Sequence, residues 1–592
     1  METVNKILTF CFLFWFFGAF PCYAGTSGDV QLVQDGKPLT IIVVSPEAPA
    51  SVNFAALELQ SYVEKISGAK LPITKSTDSQ LLGRKNCIIL GDNALSKRLG
   101  VTTDKLAPDG FQIKSLEGNL VLTGRDYAGP PMKGFRHPLR LRETYNLETG
   151  LSAFGETGTL FAVYHLLNKL GVRWFMPGKL GEVVPKRKTL VIDKIDITEA
   201  PAFEYRYINL SNFSKTPEDI KWYKRIGFGA KFVVNINHSF QLFRKFQSSH
   251  PEYFAIINGK RDFNITCQGK GSLCLSEPGV LKQMVQLVDD YFLKHPNTVM
   301  FPVMPNDSYN KICECDKCKG KVNDSMGKDG KFSNYVWGFV NQVAKAVNKK
   351  YPGKFIACCA YGHYKLPPSD IKNLPKNVIV MICKKRRSYW DTKYHHKTDK
   401  LIQRWAKLVD NIYLWEYYNH YNRAKKYLMH IKIWKHSLQG VPIIFPHLIQ
   451  KDLKFLIKSH VKGEFIEVDS FAWKGLQHFN IYVTAKLLWD PDLNVDAMID
   501  DYCNKFYGPA AAPMKKFICR SEEIWMEYPD SLKISAYGEF RKGVQFKDKK
   551  YLVELTEYLQ QALQVSSGVY RQRIKMIFDE TAIARNNWNL DK

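Results

Sequence analysis

From Pro201 to Leu476 the sequence repeats one pattern: a short apolar run, a polar loop, then an amphipathic stretch. Eight apolar runs fit strands, at 203–210, 232–237, 299–304, 355–361, 378–383, 412–416, 443–445 and 465–468. Amphipathic stretches at 280–293, 335–349, 400–408 and 452–458 separate most of them. Consecutive parallel strands need long crossovers, usually helices. The alternation therefore predicts an α/β fold, a (β/α)8 TIM-like barrel over residues 198–475.

The flanks read differently. Residues 25–197 predict a smaller α+β domain. Strands are expected at 30–33, Ile41–Val44 and Cys87–Leu90, with a hairpin across Glu117-Gly118. Two helices are expected: one carries Ala55, Leu59, Tyr62, Val63 and Ile66 on one face and stops at Gly68, and one reads LFAVYHLLNKL and stops at Gly171. A Pro/Gly/Arg-rich insertion runs from about Asp126 to Glu156. Residues 476–592 read as helical to the end. In all, 592 residues divide into a leader (1–24), the α+β domain, the barrel and a helical C-terminal region.

The leader constrains the compartment. One Lys precedes an almost unbroken apolar run at 7–20, and small residues follow Ala24. Such a run is short for a bilayer span and has the form of a secretory signal peptide cleaved after Ala24, with an uncleaved anchor as the rival. No later run is long and apolar enough to predict another span. Export to the periplasm or the cell exterior is expected. This bears on the charge: 84 Lys+Arg against 57 Asp+Glu leave a formal +27. The basic residues are scattered and no nucleic-acid motif is present. Nucleic acid is therefore not an expected partner. A solvated Lys-rich surface or a fit to an anionic glycan remains.

Catalytic groups of such barrels lie at the C-terminal ends of strands. There the sequence places His238, then Asn306-Asp307, then Tyr361-Gly362-His363, then Glu416 between Trp415 and Tyr417, then Glu464, Glu467 and Asp469. Carboxylates across an aromatic-lined mouth suit glycoside hydrolysis: one protonates the leaving oxygen, the other attacks or activates water. Asp307 and Glu416 are the expected pair, with Glu467 or Asp469 as the competing partner. Glu416, between two aromatic residues, is the expected proton donor. Asp307 also fits a plain turn. His238, Arg261, His363, Trp415 and Tyr417 are candidate substrate contacts. Arg261 would suit a substrate carboxylate, or would simply flank an exposed hairpin turn at Asn258-Gly259.

Eleven cysteines lie beyond Ala24. Cys313, Cys315 and Cys318 form a C-x-C-x-x-C string with Cys274 upstream. In an exported chain disulfides are the default for these four; a structural metal or free thiols are the alternatives. No Ser-His-Asp elbow, Walker loop or dinucleotide fingerprint is present. No cofactor is expected, and no metal is assigned to the barrel mouth.

The runs AALELQSYVEKISGAKLPI and GTLFAVYHLLNKLGVRWFMPGKLGEVVP resemble the N-terminal domain of α-glucuronidases and the second domain of family 20 hexosaminidases. HPEYFAIINGKR, LCLSEPGV, MPNDSYNKICECDKCKG and YVTAKLLWDPDLNVDAMIDDYCNKFYGPAA resemble the exported bacterial family called domain of unknown function 4838. The resemblance implies a glycoside-hydrolase-like barrel in polysaccharide breakdown. The adjacent Asp-Glu pair of hexosaminidases is replaced by Tyr361-Gly362-His363, so that substrate-assisted mechanism is not implied.

The expected function is an exported glycoside hydrolase with a carbohydrate substrate. The alternatives are a non-catalytic glycan-binding protein on the same scaffold, and a lyase or metal-dependent enzyme acting on uronates.

Overall fold

The computed structural model describes residues 29–592 except 85, 131–145, 147–148, 209–216, 234–235, 237, 267–268, 270, 308, 420–439, 469–475, 528–548, 588–589 and 591–592. The leader and most of the insertion lie outside the described residues. No helix among those described is long and apolar enough to cross a membrane.

The N-terminal region combines helices with mixed sheet. Ile41–Val44, Cys87–Leu90, Phe111–Leu116 and Asn119–Gly124 belong to a six-stranded mixed sheet. Val30–Gln34 pairs instead with Lys37–Pro38 and Leu190–Ile192 in a second sheet. The helices Ala50–Ser67 and Gly158–Lys169 turn their apolar faces inward: Leu59, Val63, Leu160 and Val163 are fully buried.

Among the described residues the central region holds six parallel strands, numbered here β1 (Tyr205–Ile208), β2 (Met300–Pro302), β3 (Phe355–Ala360), β4 (Val378–Lys384), β5 (Asn411–Asn419) and β6 (Val461–Val468). Their order is β1-β6-β5-β4-β3-β2, and Gly229–Ala230 adds an antiparallel edge beside β1. The sheet is a curled half-barrel. Four helices follow strands: α1 (Pro278–Lys294), α2 (Ser333–Lys350), α3 (Thr392–Ala406) and α4 (Pro446–Lys458). A fifth, α5 (His478–Trp489), opens the helical C-terminal region.

One of the eight expected strands does not form. Residues 443–445 are buried but make no ladder. The side-chain amide of Asn480 donates to the Ile443 carbonyl at 2.7 Å and accepts from the Phe445 N–H at 3.1 Å. That one side chain satisfies the backbone a strand would have satisfied, and β5 pairs directly with β6. Of the strand expected at 232–237, residues 234, 235 and 237 lie outside the described residues. Just beyond it, Met304 N–H donates to Ser239 Oγ at 3.0 Å and Phe240 N–H to the Met304 carbonyl at 3.3 Å. These bonds hold Ser239 and Phe240 beside the end of β2.

Strand parity sorts the side chains of the sheet. On the concave face the rings of Tyr205 and Tyr413 approach to 5.6 Å. They close over Gly463, where a Cβ would lie 1.9 Å from the Tyr205 carbonyl oxygen. Above them Phe465 meets Tyr207 at 5.6 Å and Trp415 at 4.3 Å. The alternate residues of β5 and β6 face the helices.

The two regions share buried polar contacts. Arg206 on β1 reaches Asp109 of the N-terminal domain at 2.9 Å, both side chains being almost fully buried. Its other nitrogens donate to the carbonyls of Gly227 and Phe203. Arg225 pairs with Glu58 at 2.7 Å. The helical end contributes too. Glu522 accepts from the His447 N–H at 2.9 Å, occupying an otherwise open donor at the start of α4.

Candidate functional site

Asp307 follows β2 in the turn after Met304-Pro305-Asn306 and is about a third exposed, at 37%. The Tyr361 hydroxyl, at the end of β3, donates to its Oδ1 at 3.1 Å. His238 Nε2 lies 3.9 Å from the same oxygen, while His238 Nδ1 contacts the Pro305 carbonyl at 2.6 Å. A carbonyl only accepts, so Nδ1 carries a proton and the Nε2 side faces Asp307. The neighbouring Asn306 anchors this turn by donating to the Gly271 carbonyl at 2.8 Å.

Glu467 sits near the end of β6 on the concave face, 7% exposed. Trp415 Nε1 donates to its Oε2 at 2.8 Å. Tyr417, two residues further along β5, is opposite Glu467 in the β5–β6 ladder. Burial, then the neighbouring Cys383, Tyr361 and Glu467, push its phenol well above the ordinary value. Asp307 and Glu467 thus each accept from one aromatic hydrogen-bond donor.

Glu416 is elsewhere. It lies between Trp415 and Tyr417 in sequence and hence on the opposite face of β5. The expectation that it shares the mouth with Asp307 is corrected by this parity. It belongs to a fully buried cluster beneath α4 with Lys384, Arg386, Asp452 and Glu464. The Arg386 N–H donates to Glu416 Oε1 at 2.8 Å, and Lys384 lies 3.6 Å from Glu416 Oε2. Asp452 bridges Lys384 and Arg386, and Glu464 pairs with Arg386. Burial pushes Glu416 up to about 7, against the opposing pull of Lys384 and Arg386. Burial acts on Asp452 in the same sense, but the two cations prevail and hold it below the ordinary carboxylate value.

The other expected contacts divide as well. Trp415 and Tyr417 join Glu467 on the concave face, and His238 joins Asp307. Arg261 flanks an exposed hairpin, Ile256–Ile257 with Lys260–Arg261, and its guanidinium donates to the Phe254 carbonyl at 2.7 Å. His363 contacts the Lys328 carbonyl at 2.7 Å and braces that loop. Asp469 lies outside the described residues.

The cysteines differ from the disulfide expectation. Cys274, Cys313, Cys315 and Cys318 are all unbonded. Cys274 Sγ is 3.6 Å from both Cys315 and Cys318 Sγ, against about 2.05 Å for a disulfide. Two loops present the four sulfurs towards one point instead of in bonded pairs.

Two groups escaped the sequence reading. Tyr361 was visible only as the residue before Gly362-His363. Lys385, at the end of β4, is pushed down to about 7, by burial first and then by Arg387. Its signal was the run Lys384-Lys385-Arg386-Arg387 closing an apolar strand.

A half-barrel of parallel strands behind a smaller domain of helices and mixed sheet is a glycoside-hydrolase-like fold. The profile described as domain of unknown function 4838 matches residues 176–519, and the chain belongs to that family. No curated protein matches the sequence. Among solved structures, a family GH115 4-O-methyl-α-glucuronidase with specificity for decorated arabinogalactans is similar in fold. Its TM-score is 0.54 at 12% identity, with 95% of this chain and 73% of that one covered. A family 89 glycoside hydrolase from Clostridium perfringens aligns at a TM-score of 0.49 and 12% identity, over 92% of this chain and 62% of that one.

Proposed function

We propose that the protein is an exported glycoside hydrolase that acts on a polysaccharide or oligosaccharide by paired-carboxylate catalysis, with Asp307 and Glu467 as the pair. One observation carries this reading. Both acids lie at C-terminal strand ends, each held by an aromatic donor, Tyr361 or Trp415. Aromatic faces there suit the apolar faces of sugar rings. One carboxyl would protonate the leaving oxygen while the other attacks the sugar or activates water. The favoured substrates are anionic, uronic or sulfated, because the chain carries a formal +27 and such charge favours acidic polymers.

The test is a hydrolysis screen of the purified protein on neutral, uronic and sulfated oligosaccharides, followed by Asp307→Asn and Glu467→Gln. Each substitution is expected to lower kcat by about 10²–10⁴-fold while folding is retained. Full turnover in either variant removes that residue from the pair. The first-formed anomer, read by NMR, then distinguishes a nucleophile from a base.

A further inference from the structure

We infer that Cys274, Cys313, Cys315 and Cys318 form a structural site for one tetrahedral thiophilic divalent cation, zinc. All four Sγ atoms lie within 4.8 Å of one another, two of the separations being 3.6 Å. Four sulfurs about 2.3 Å from a central zinc stand about 3.8 Å apart along each edge. Two disulfides would instead show two short pairs, and none of the four cysteines is bonded. Tetrahedral four-sulfur sites select zinc or iron. The four protein donors leave no open coordination position, as in structural sites and unlike catalytic ones.

The surroundings suit thiolates. The Ile256 N–H donates to Cys313 Sγ at 3.3 Å. The Tyr335 hydroxyl accepts from the Leu275 N–H at 2.7 Å and lies 3.2 Å from Cys318 Sγ, so its own proton is placed for that sulfur. Such partners orient ligands and tune the site. Cys274, Cys313 and Cys318 are buried and Cys315 is partly exposed. Zinc with four thiolates carries two net negative charges, and Lys317, Lys319 and Lys321 punctuate the ligand loop.

The site has a position to match its role. Cys274 precedes α1, whereas the other three lie just past Asp307 on the loop that follows β2. The ion would pin that loop to the start of α1 and so fix the turn that presents Asp307. Nothing here depends on the hydrolase reading.

Elemental analysis of the full-length protein is expected to find one zinc per chain, released when the four thiols are blocked by a mercurial. Cobalt-substituted protein is expected to show thiolate-to-cobalt charge-transfer bands. Cys315→Ser should lower zinc to background while Cys519→Ser, on the helix Ala511–Met526 and outside the cluster, keeps one per chain. An unreduced mass showing disulfides among these four cysteines, stoichiometric iron, or zinc lost equally from Cys519→Ser would overturn the assignment. The wild-type metal content decides the matter even if Cys315→Ser misfolds.

Discussion

Replacing Glu416 by Gln separates the two faces of β5. Glu416 is fully buried and pushed up to about 7 from an ordinary 4.5, chiefly by burial. Its folded-state value is therefore higher than its unfolded one. Below about 4.5 both states hold the proton and the group contributes nothing. As pH rises towards 7 the unfolded chain releases its proton first, so the folded state loses relative stability. The full loss is about 3 kcal/mol above pH 7. Glutamine cannot titrate, and its carbonyl can still accept the Arg386 N–H that Glu416 accepts at 2.8 Å. It also leaves two acids facing the two cations of the cluster. Urea unfolding of wild type and Glu416→Gln from about pH 4.5 to about pH 8 isolates the effect, because other carboxylates largely cancel in the difference. The variant should gain about 3 kcal/mol relative to wild type across that window, and it should retain turnover on any glycan that wild type cleaves. Two results would refute the reasoning: wild type gaining on the variant as pH rises, which would mean that Lys384 and Arg386 hold an anion, or abolished turnover in a folded variant.

Other perturbations test the rest of the arrangement. Tyr361→Phe removes the donor on Asp307. A hydrogen bond to a charged group contributes about 1.5–3 kcal/mol, so kcat should fall roughly tenfold to a hundredfold; unchanged kcat would detach Tyr361 from the reaction. Arg206→Met breaks the buried pair with Asp109 and leaves only Lys224 as a cation near that carboxylate. Unfolding measurements should register a loss of about 3–5 kcal/mol, and a loss under about 1 kcal/mol would show the pair to be dispensable. Gly463→Ala puts a methyl against the Tyr205 backbone, which cannot rotate away. It should cost at least the ~1–3 kcal/mol typical of overpacking, read as a lowered Tm, and an unchanged Tm would mean that β1 and β6 can move apart.

The half-barrel was legible because parallel strands require helices between them, and that period survives single errors in strand placement. The strand expected at 443–445 shows the limit. Residues 443–445 are as apolar as a strand, but apolarity reports burial and not the partner, which turned out to be the amide of Asn480. The C-x-C-x-x-C string has the same ambiguity. Spacing brings three sulfurs together without choosing between a bond and an ion, whereas Cys274, arriving from another loop, makes the set four.

Glu416 teaches a sharper lesson about reading a strand. Its aromatic neighbours in sequence suggested an apolar pocket around a proton donor. In a strand, neighbours in sequence are the residues that point the other way, so Trp415 and Tyr417 argue for Glu467, not for Glu416. The raised value expected of a donor is present at Glu416, yet its cause is burial beneath α4, and the cations beside it come from Lys384 and Arg386. A perturbed carboxyl is thus no guide to chemistry until its face is known. The same cations revise the meaning of the net charge. Lys384, Arg386, Arg206 and Lys224 are fully buried, and Lys384, Arg386 and Arg206 are paired with acids. Part of the basic content therefore builds the scaffold, and only the remainder is available to meet an acidic glycan.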